Sequence, residues 1–190
     1  MKDLNPVLEK DQLLEKVLFK TIAVIAFVFL TAMGAYIRVP LWFTPVPFTL
    51  QTLFVLLGAC VLGKYLGTFT QVIYIALGVL GAPLFTKSGA GLYYFLGPTA
   101  GYLAGFLLSS VFIGVFLKPQ KSFREIFFIF SAASLLILLC GAVWLKIIFR
   151  LNYLQTFILG VMPFVIGDAI KSLIASLFYM KFRSRISSLN

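Results

Sequence analysis

The chain contains no histidine, and only six of its 190 residues are Asp or Glu. The first absence excludes Ser-His-Asp triads and histidine-ligated metal centres, which need an imidazole as base or ligand. Cysteine is scarce too. Cys60 and Cys140 each lie inside an apolar run, where a buried packing thiol is a better reading than a disulfide or a redox site. Charged residues make up 12% of the chain against about 25% in soluble domains, while 61% of residues are hydrophobic. That balance marks an integral membrane protein. The surplus of Lys and Arg gives a formal net charge of +10, which membrane topology explains without a nucleic-acid partner.

What the sequence does have is a series of continuous apolar runs. A hydrocarbon core of ~30 Å needs about 20 helical residues, so this length allows about six crossings. The expected spans are residues 21–37, 48–62, 65–82, 99–117, 125–148 and 164–180. The runs do not alternate in polarity, which argues for helices over a β-barrel. The fold class is therefore an all-α integral membrane bundle with six transmembrane helices. Only "GKY" separates the second span from the third, which implies a tight turn. Pro163 can open a helix but would kink its interior, so residues 151–162 read as a short outer segment before the last span.

Asp3, Glu9, Asp11 and Glu15 precede the first apolar run, a pattern unlike a cleaved signal peptide. Residues 1–20 are expected as a cytoplasmic amphipathic segment with Leu13, Leu14, Val17 and Leu18 on one face, residues 21–185 as the membrane domain, and 186–190 as a cytoplasmic tail. With both termini in the cytoplasm, eleven Lys and Arg side chains lie inside against four outside (Arg38, Lys87, Lys146, Arg150), and Lys171 falls within a span. This asymmetry predicts a multi-pass protein of the cell membrane in that orientation. "GACVLGKY" (Gly58 to Tyr65) has P-loop spacing, but Tyr65 stands where Ser or Thr is required and a span precedes it where a strand belongs. It reads as a cytoplasmic turn.

The last span, "FVIGDAIKSLIASLFYM", holds both an acid and a base. An Asp or a Lys near the bilayer centre costs roughly 2.5 to 3.5 kcal/mol on insertion scales, so something must offset the cost. Asp168 and Lys171 are three residues apart and share a helix face, which lets a carboxylate acceptor and an ammonium donor reach one cavity. The bland alternatives are a self-neutralising ion pair, or a Lys that snorkels while Asp168 is protonated. A functional site is favoured, because ionisable groups within a membrane usually mark one. On the same outer side, "VPLWFTPVPFTLQTL" carries three prolines and delivers Thr49, Gln51 and Thr52 to the second span. "GVLGAPLFTKSGAGLYYFLGPTAGY" combines glycines with Phe85, Tyr93, Tyr94, Phe95 and Tyr102. Taken singly, such residues make turns and interface anchors; together they suggest a covered polar cavity.

Through "TAMGA", "PVPFTLQTL", "GAPLF", "GPTAGYLAGF" and "GDAIKSLIAS", in this order, the chain resembles the BioY family, the biotin-specific substrate-binding (S) components of energy-coupling factor (ECF) transporters. The resemblance implies an S-component-like bundle that binds biotin near its outer face. It makes Asp168 and Lys171 the acid and base that contact biotin's polar groups, with Asp168 accepting from the ureido N–H. It also assigns Gln51 from the loop motif, and Gly91 and Tyr94 from the glycine and aromatic stretch. Thr86 and Lys87 are the candidates for a polar contact from "TKSGAG", with Ser88 as an alternative. Ala100 stands where the family usually has Gly, and Phe48 where it has a small aliphatic residue. No Ala-x-x-x-Ala spacing occurs between Thr21 and Ile37, where related families dock their membrane partner; the nearest is Thr31 with Ala35.

The resemblance sets the functional expectation: biotin capture and uptake, with biotin as transported ligand and no cofactor. The expected partners are membrane lipid, a transmembrane coupling subunit and two cytoplasmic ATPases. The proline-bearing loop is expected to close over the ligand. Competing readings are a stand-alone carrier for biotin or another small solute, a membrane-embedded enzyme, which would need convergent catalytic groups that one Asp and one Lys do not supply, and a structural partner without a ligand.

Overall fold

Leu13 to Tyr36 is free of Pro and apolar over most of its length, and it is part of a single long helix, α1 (Asn5–Tyr36). The computed structural model describes residues 5–189. No break separates the expected amphipathic segment from the first span. Leu13, Leu14, Val17 and Leu18 are all more than half exposed, whereas Asp3, Glu9 and Asp11 lie outside the residues whose side chains are described.

After Tyr36 the chain enters the proline-bearing loop. Two short strands, β1 (Arg38–Val39) and β2 (Phe48–Thr49), pair antiparallel at its base, Arg38 with Thr49 and Val39 with Phe48. The second span was expected from Phe48. Its helix starts instead at Gln51, because Phe48 and Thr49 give their backbone groups to this pairing.

The next helix, α2 (Gln51–Val79), is 29 residues long by backbone hydrogen bonding, yet it is a hairpin. Gly63 has φ 73° and ψ −172°, a conformation open essentially to glycine alone. A Cβ on Gly67 would lie 2.8 Å from the Cα of Ala59, and the Gln51 side chain reaches Tyr74 Oη at 2.6 Å. In a straight helix the latter two residues would be roughly 35 Å apart at 1.5 Å per residue. The expected turn at "GKY" is thus present, and the two arms are the second and third crossings.

A one-turn helix, α3 (Gly91–Phe95), and a 3₁₀ turn at Thr86–Ser88 lie in the loop before α4 (Ala100–Phe116). Helix α4 packs between the α2 hairpin and α5 (Phe123–Phe149). Gly101 and Gly105, one turn apart, allow α4 to approach α5 closely: a Cβ on Gly101 would stand 2.4 Å from the carbonyl of Cys140, and one on Gly105 2.7 Å from the Cα of Ile137. Such small-residue stripes are how membrane helices gain packing without a hydrophobic driving force.

Residues 151–162, expected only as a short outer segment, contain a two-turn helix, α6 (Tyr153–Gly160). Asn152 and Gln155 form a capping box there, as Ser122 and Glu125 do at the start of α5. A 3₁₀ turn through Pro163 then leads into α7 (Val165–Leu189). That helix continues past Met180 and takes in most of the residues expected as a tail; Asn190 lies outside the described residues.

Four helical stretches, Leu13–Tyr36, Gln51–Val79, Phe123–Phe149 and Tyr153–Ser187, are long and apolar enough to cross a membrane, and Ala100–Phe116 is a shorter apolar helix. Because Gln51–Val79 doubles back, the bundle has six crossing helices. The loops after α1, after α2 and after α5 all lie at one end.

Candidate functional site

Asp168 and Lys171 occupy the first turns of α7 on its inward face, and each is 4% exposed. Lys171 Nζ donates to Asp168 Oδ1 at 2.7 Å and to Thr52 Oγ1 at 2.9 Å. It also lies 4.1 Å from the centroid of the Phe48 ring, a cation–π contact. Ser134 Oγ, from α5, donates to Asp168 Oδ2 at 3.0 Å. Three helices and the loop strand therefore hold the pair.

The pair is not sealed off. Both residues line a small cavity of about 50 Å³. Thr49 of β2 and Gln51 and Thr52 from the start of α2, together with Thr86 and Thr99, give it further hydroxyl and amide groups. Helices α4 and α5 supply an apolar wall of Leu103, Phe106, Ile137 and Leu138, with Tyr102 beside it. Val46 and Pro47 of the proline-bearing loop contribute as well. A guest that fits has polar donors and acceptors at one part and a hydrocarbon body at another. An ionised carboxylate takes up to about four hydrogen bonds and an ammonium gives three, so neither Asp168 nor Lys171 is exhausted by its protein partners.

Gln51 does not hang free in the cavity. Its Nε2 donates to Tyr74 Oη at 2.6 Å, and Tyr74 in turn donates to the Leu84 carbonyl at 3.0 Å. That chain fixes the amide and leaves Oε1 as the acceptor nearest the cavity's hydroxyls; Thr49 Oγ1 reaches it at 3.4 Å. Phe85 stands edge-on to Tyr74 at 5.8 Å and stacks on Tyr94 at 5.7 Å, and Tyr94 Oη hydrogen-bonds with Thr86. An aromatic stack thus backs the side of the site formed by Gln51 and Thr86.

Of the residues singled out in the sequence, Asp168, Lys171, Gln51 and Thr86 line the cavity together. Tyr94 is a layer behind, through Thr86. Lys87 is exposed and, with φ 60°, forms the left-handed tip of the Thr86–Ser88 turn; Gly91, with φ 84°, enables the turn into α3. Neither lines the cavity. The residues that sequence reasoning missed are Ser134, which anchors Asp168, and the apolar wall. Ser134 could have been found as a hydroxyl in the middle of an apolar span, whereas Leu103, Phe106, Ile137 and Leu138 read like any core residues.

The sequence model of the BioY family matches residues 9–188 of this chain. The chain belongs to the BioY family. It is 36% identical over 162 residues to the biotin transporter BioY of Thermotoga maritima, covering 83% of this chain and 91% of that protein. It is 30% identical over 175 residues to the biotin transporter BioY of Lactococcus lactis, covering 87% and 92%. The fold is similar to a crystal structure described as the S-component for biotin from an ECF-type ABC transporter, with a TM-score of 0.79, 25% identity, and coverage of 92% of this chain and 93% of that one. The BioY match extends through both loop motifs and the acid–base pair of α7, the segments that meet at the cavity.

Proposed function

We propose that this protein captures biotin from the outer side of the cell membrane and takes part in its uptake as the S component of an ECF-type transporter. One observation carries the reading: a buried Asp–Lys pair, braced by Thr52 and Ser134, opens onto a cavity with an apolar wall. Biotin has matching chemistry, with ureido N–H donors for Asp168, carbonyl or carboxylate oxygens for Lys171, and hydrocarbon for the wall. The relatives named for biotin transport support this ligand over another small solute.

In the same reading Gln51 and Thr86 complete the polar part of the site, and Lys87, Gly91 and Tyr94 act through the loop that carries Thr86. Arg38, Lys87, Lys146 and Arg150 are the cations at the cavity end of the chain, which supports placing that end outside and both termini in the cytoplasm. Uptake then requires an external motor, namely a transmembrane coupling subunit and two ATPases. The P-loop-like "GACVLGKY" is helix running into the Gly63 turn, so it gives this chain no phosphate-binding loop between a strand and a helix.

Isothermal titration of the detergent-purified chain with biotin tests the assignment. Asp168→Asn, which keeps shape and removes charge, is expected to weaken binding on the order of tenfold to a hundredfold, as loss of a hydrogen bond to a charged group does. Unchanged affinity would refute the role of Asp168. Reconstitution of the chain alone in liposomes separates an S component, which should bind without sustained uptake, from a stand-alone carrier.

A further inference from the structure

A second and larger void lies at the opposite end of the bundle. A void of about 490 Å³ opens there between α1, the α2 hairpin turn, the end of α4 and the last turns of α7. Three lysines from three different elements line it: Lys20 of α1, Lys64 beside the Gly63 turn, and Lys118 just after α4. The rest of its lining is largely apolar, including Leu62, Ile113 and Tyr179. Among the described residues no acid lines this void, and none of the three lysines forms an ion pair. Lys118 is held on a braced loop, because Arg183 of α7 donates to the neighbouring Pro119 carbonyl at 3.1 Å.

Cations at a membrane boundary are ordinary; three of them from three elements lining one void, with no acid among its described lining residues, are not explained by topology alone. Like charges brought together without an anion repel, and an anion of matching geometry relieves that repulsion. We propose that this end of the bundle is a binding site for an anionic phospholipid, with the headgroup phosphate held among Lys20, Lys64 and Lys118 and the upper acyl region against the apolar wall. The apolar wall favours a lipid over a free phosphate. Each of the three lysines marks the point where its element leaves the apolar span, which is the depth of a lipid phosphate. The proposal is independent of what the outer cavity binds.

The test uses the full chain, delipidated in detergent, with thermal unfolding and native mass spectrometry as readouts. The probes are phosphatidylglycerol, phosphatidylcholine and inorganic phosphate. A Lys near an anionic surface contributes roughly a factor of five in affinity, so three give phosphatidylglycerol a preference on the order of a hundredfold over phosphatidylcholine. Lys20→Gln/Lys64→Gln/Lys118→Gln should abolish that preference and leave biotin titration unchanged, which also certifies its fold. The matching triple Arg variant should retain the preference. Equal stabilisation by both lipids, or an undiminished preference in the Gln variant, overturns the proposal. Full protection by inorganic phosphate alone would make this a free-anion site and overturn the lipid assignment.

Discussion

At the residue scale, the question is what a buried acid and base contribute to stability and what they contribute to binding. Breaking a buried ion pair from one side leaves an uncompensated charge and costs about 3 to 5 kcal/mol, whereas replacing both partners is often neutral. Lys171→Met should therefore lower the thermal midpoint of the ligand-free protein strongly, because Asp168 stays buried with Ser134 as its only remaining side-chain partner among the described residues. The double variant Asp168→Asn/Lys171→Met should recover most of that midpoint and still fail to bind biotin. A thermal scan of the single and double variants beside a biotin titration reads both effects; a double variant that binds like wild type would remove the pair from the site. The pair itself was legible in the sequence, since an Asp and a Lys three residues apart in an apolar run stand out against their surroundings. Thr52 was legible as a polar residue delivered by the loop. Its bond to Lys171 was not, because it joins residues 119 positions apart and nothing local encodes it.

At the scale of elements, the α2 hairpin and the proline-bearing loop matter most. Its arms, residues 51–62 and 64–79, are only about 18 and 24 Å long as helices, short of a ~30 Å hydrocarbon core. Gly63→Ala places a Cβ in a backbone region that costs about 1 to 3 kcal/mol outside glycine, and should lower the unfolding midpoint without changing the residues that line the outer cavity. If the midpoint stays at the wild-type value, the turn is not held by the glycine. The loop is tied down at Thr44, whose Oγ1 donates to the Leu159 carbonyl of α6 at 2.8 Å, and it places Val46 and Pro47 in the cavity lining. If this loop opens for ligand exchange, Thr44→Ala should speed biotin dissociation severalfold in stopped-flow displacement, in line with about 1 kcal/mol for one hydrogen bond. Unaltered dissociation would argue against a lid here. Helix α6 itself was readable in principle, from Asn152 and Gln155 in capping-box register, and was obscured because the run after it is apolar well beyond eight residues.

At the scale of the whole molecule, the two ends have different chemistry. The loop end carries the cavity and few cations, and the other end carries the lysine-lined void and most of them. In a background with Cys60 and Cys140 replaced by Ala, Trp42→Cys at the loop end should react with a membrane-impermeant maleimide on intact cells. Gln120→Cys at the other end should react only after permeabilisation. The reverse pattern would invert the orientation. The sequence by itself determined that the chain lives in a bilayer, how many times it crosses, where it turns and which charged pair is out of place. Those properties follow from hydropathy, glycine and proline stereochemistry and the cost of charge in hydrocarbon, all of which act locally along the chain. Only the tertiary structure decided that Ser134 and Thr52 hold that pair, that α4 and α5 wall its cavity and that three lysines share a second void. Each of those juxtapositions depends on which helix faces pack together, and apolar helices in lipid carry too little polarity contrast to announce their inward face.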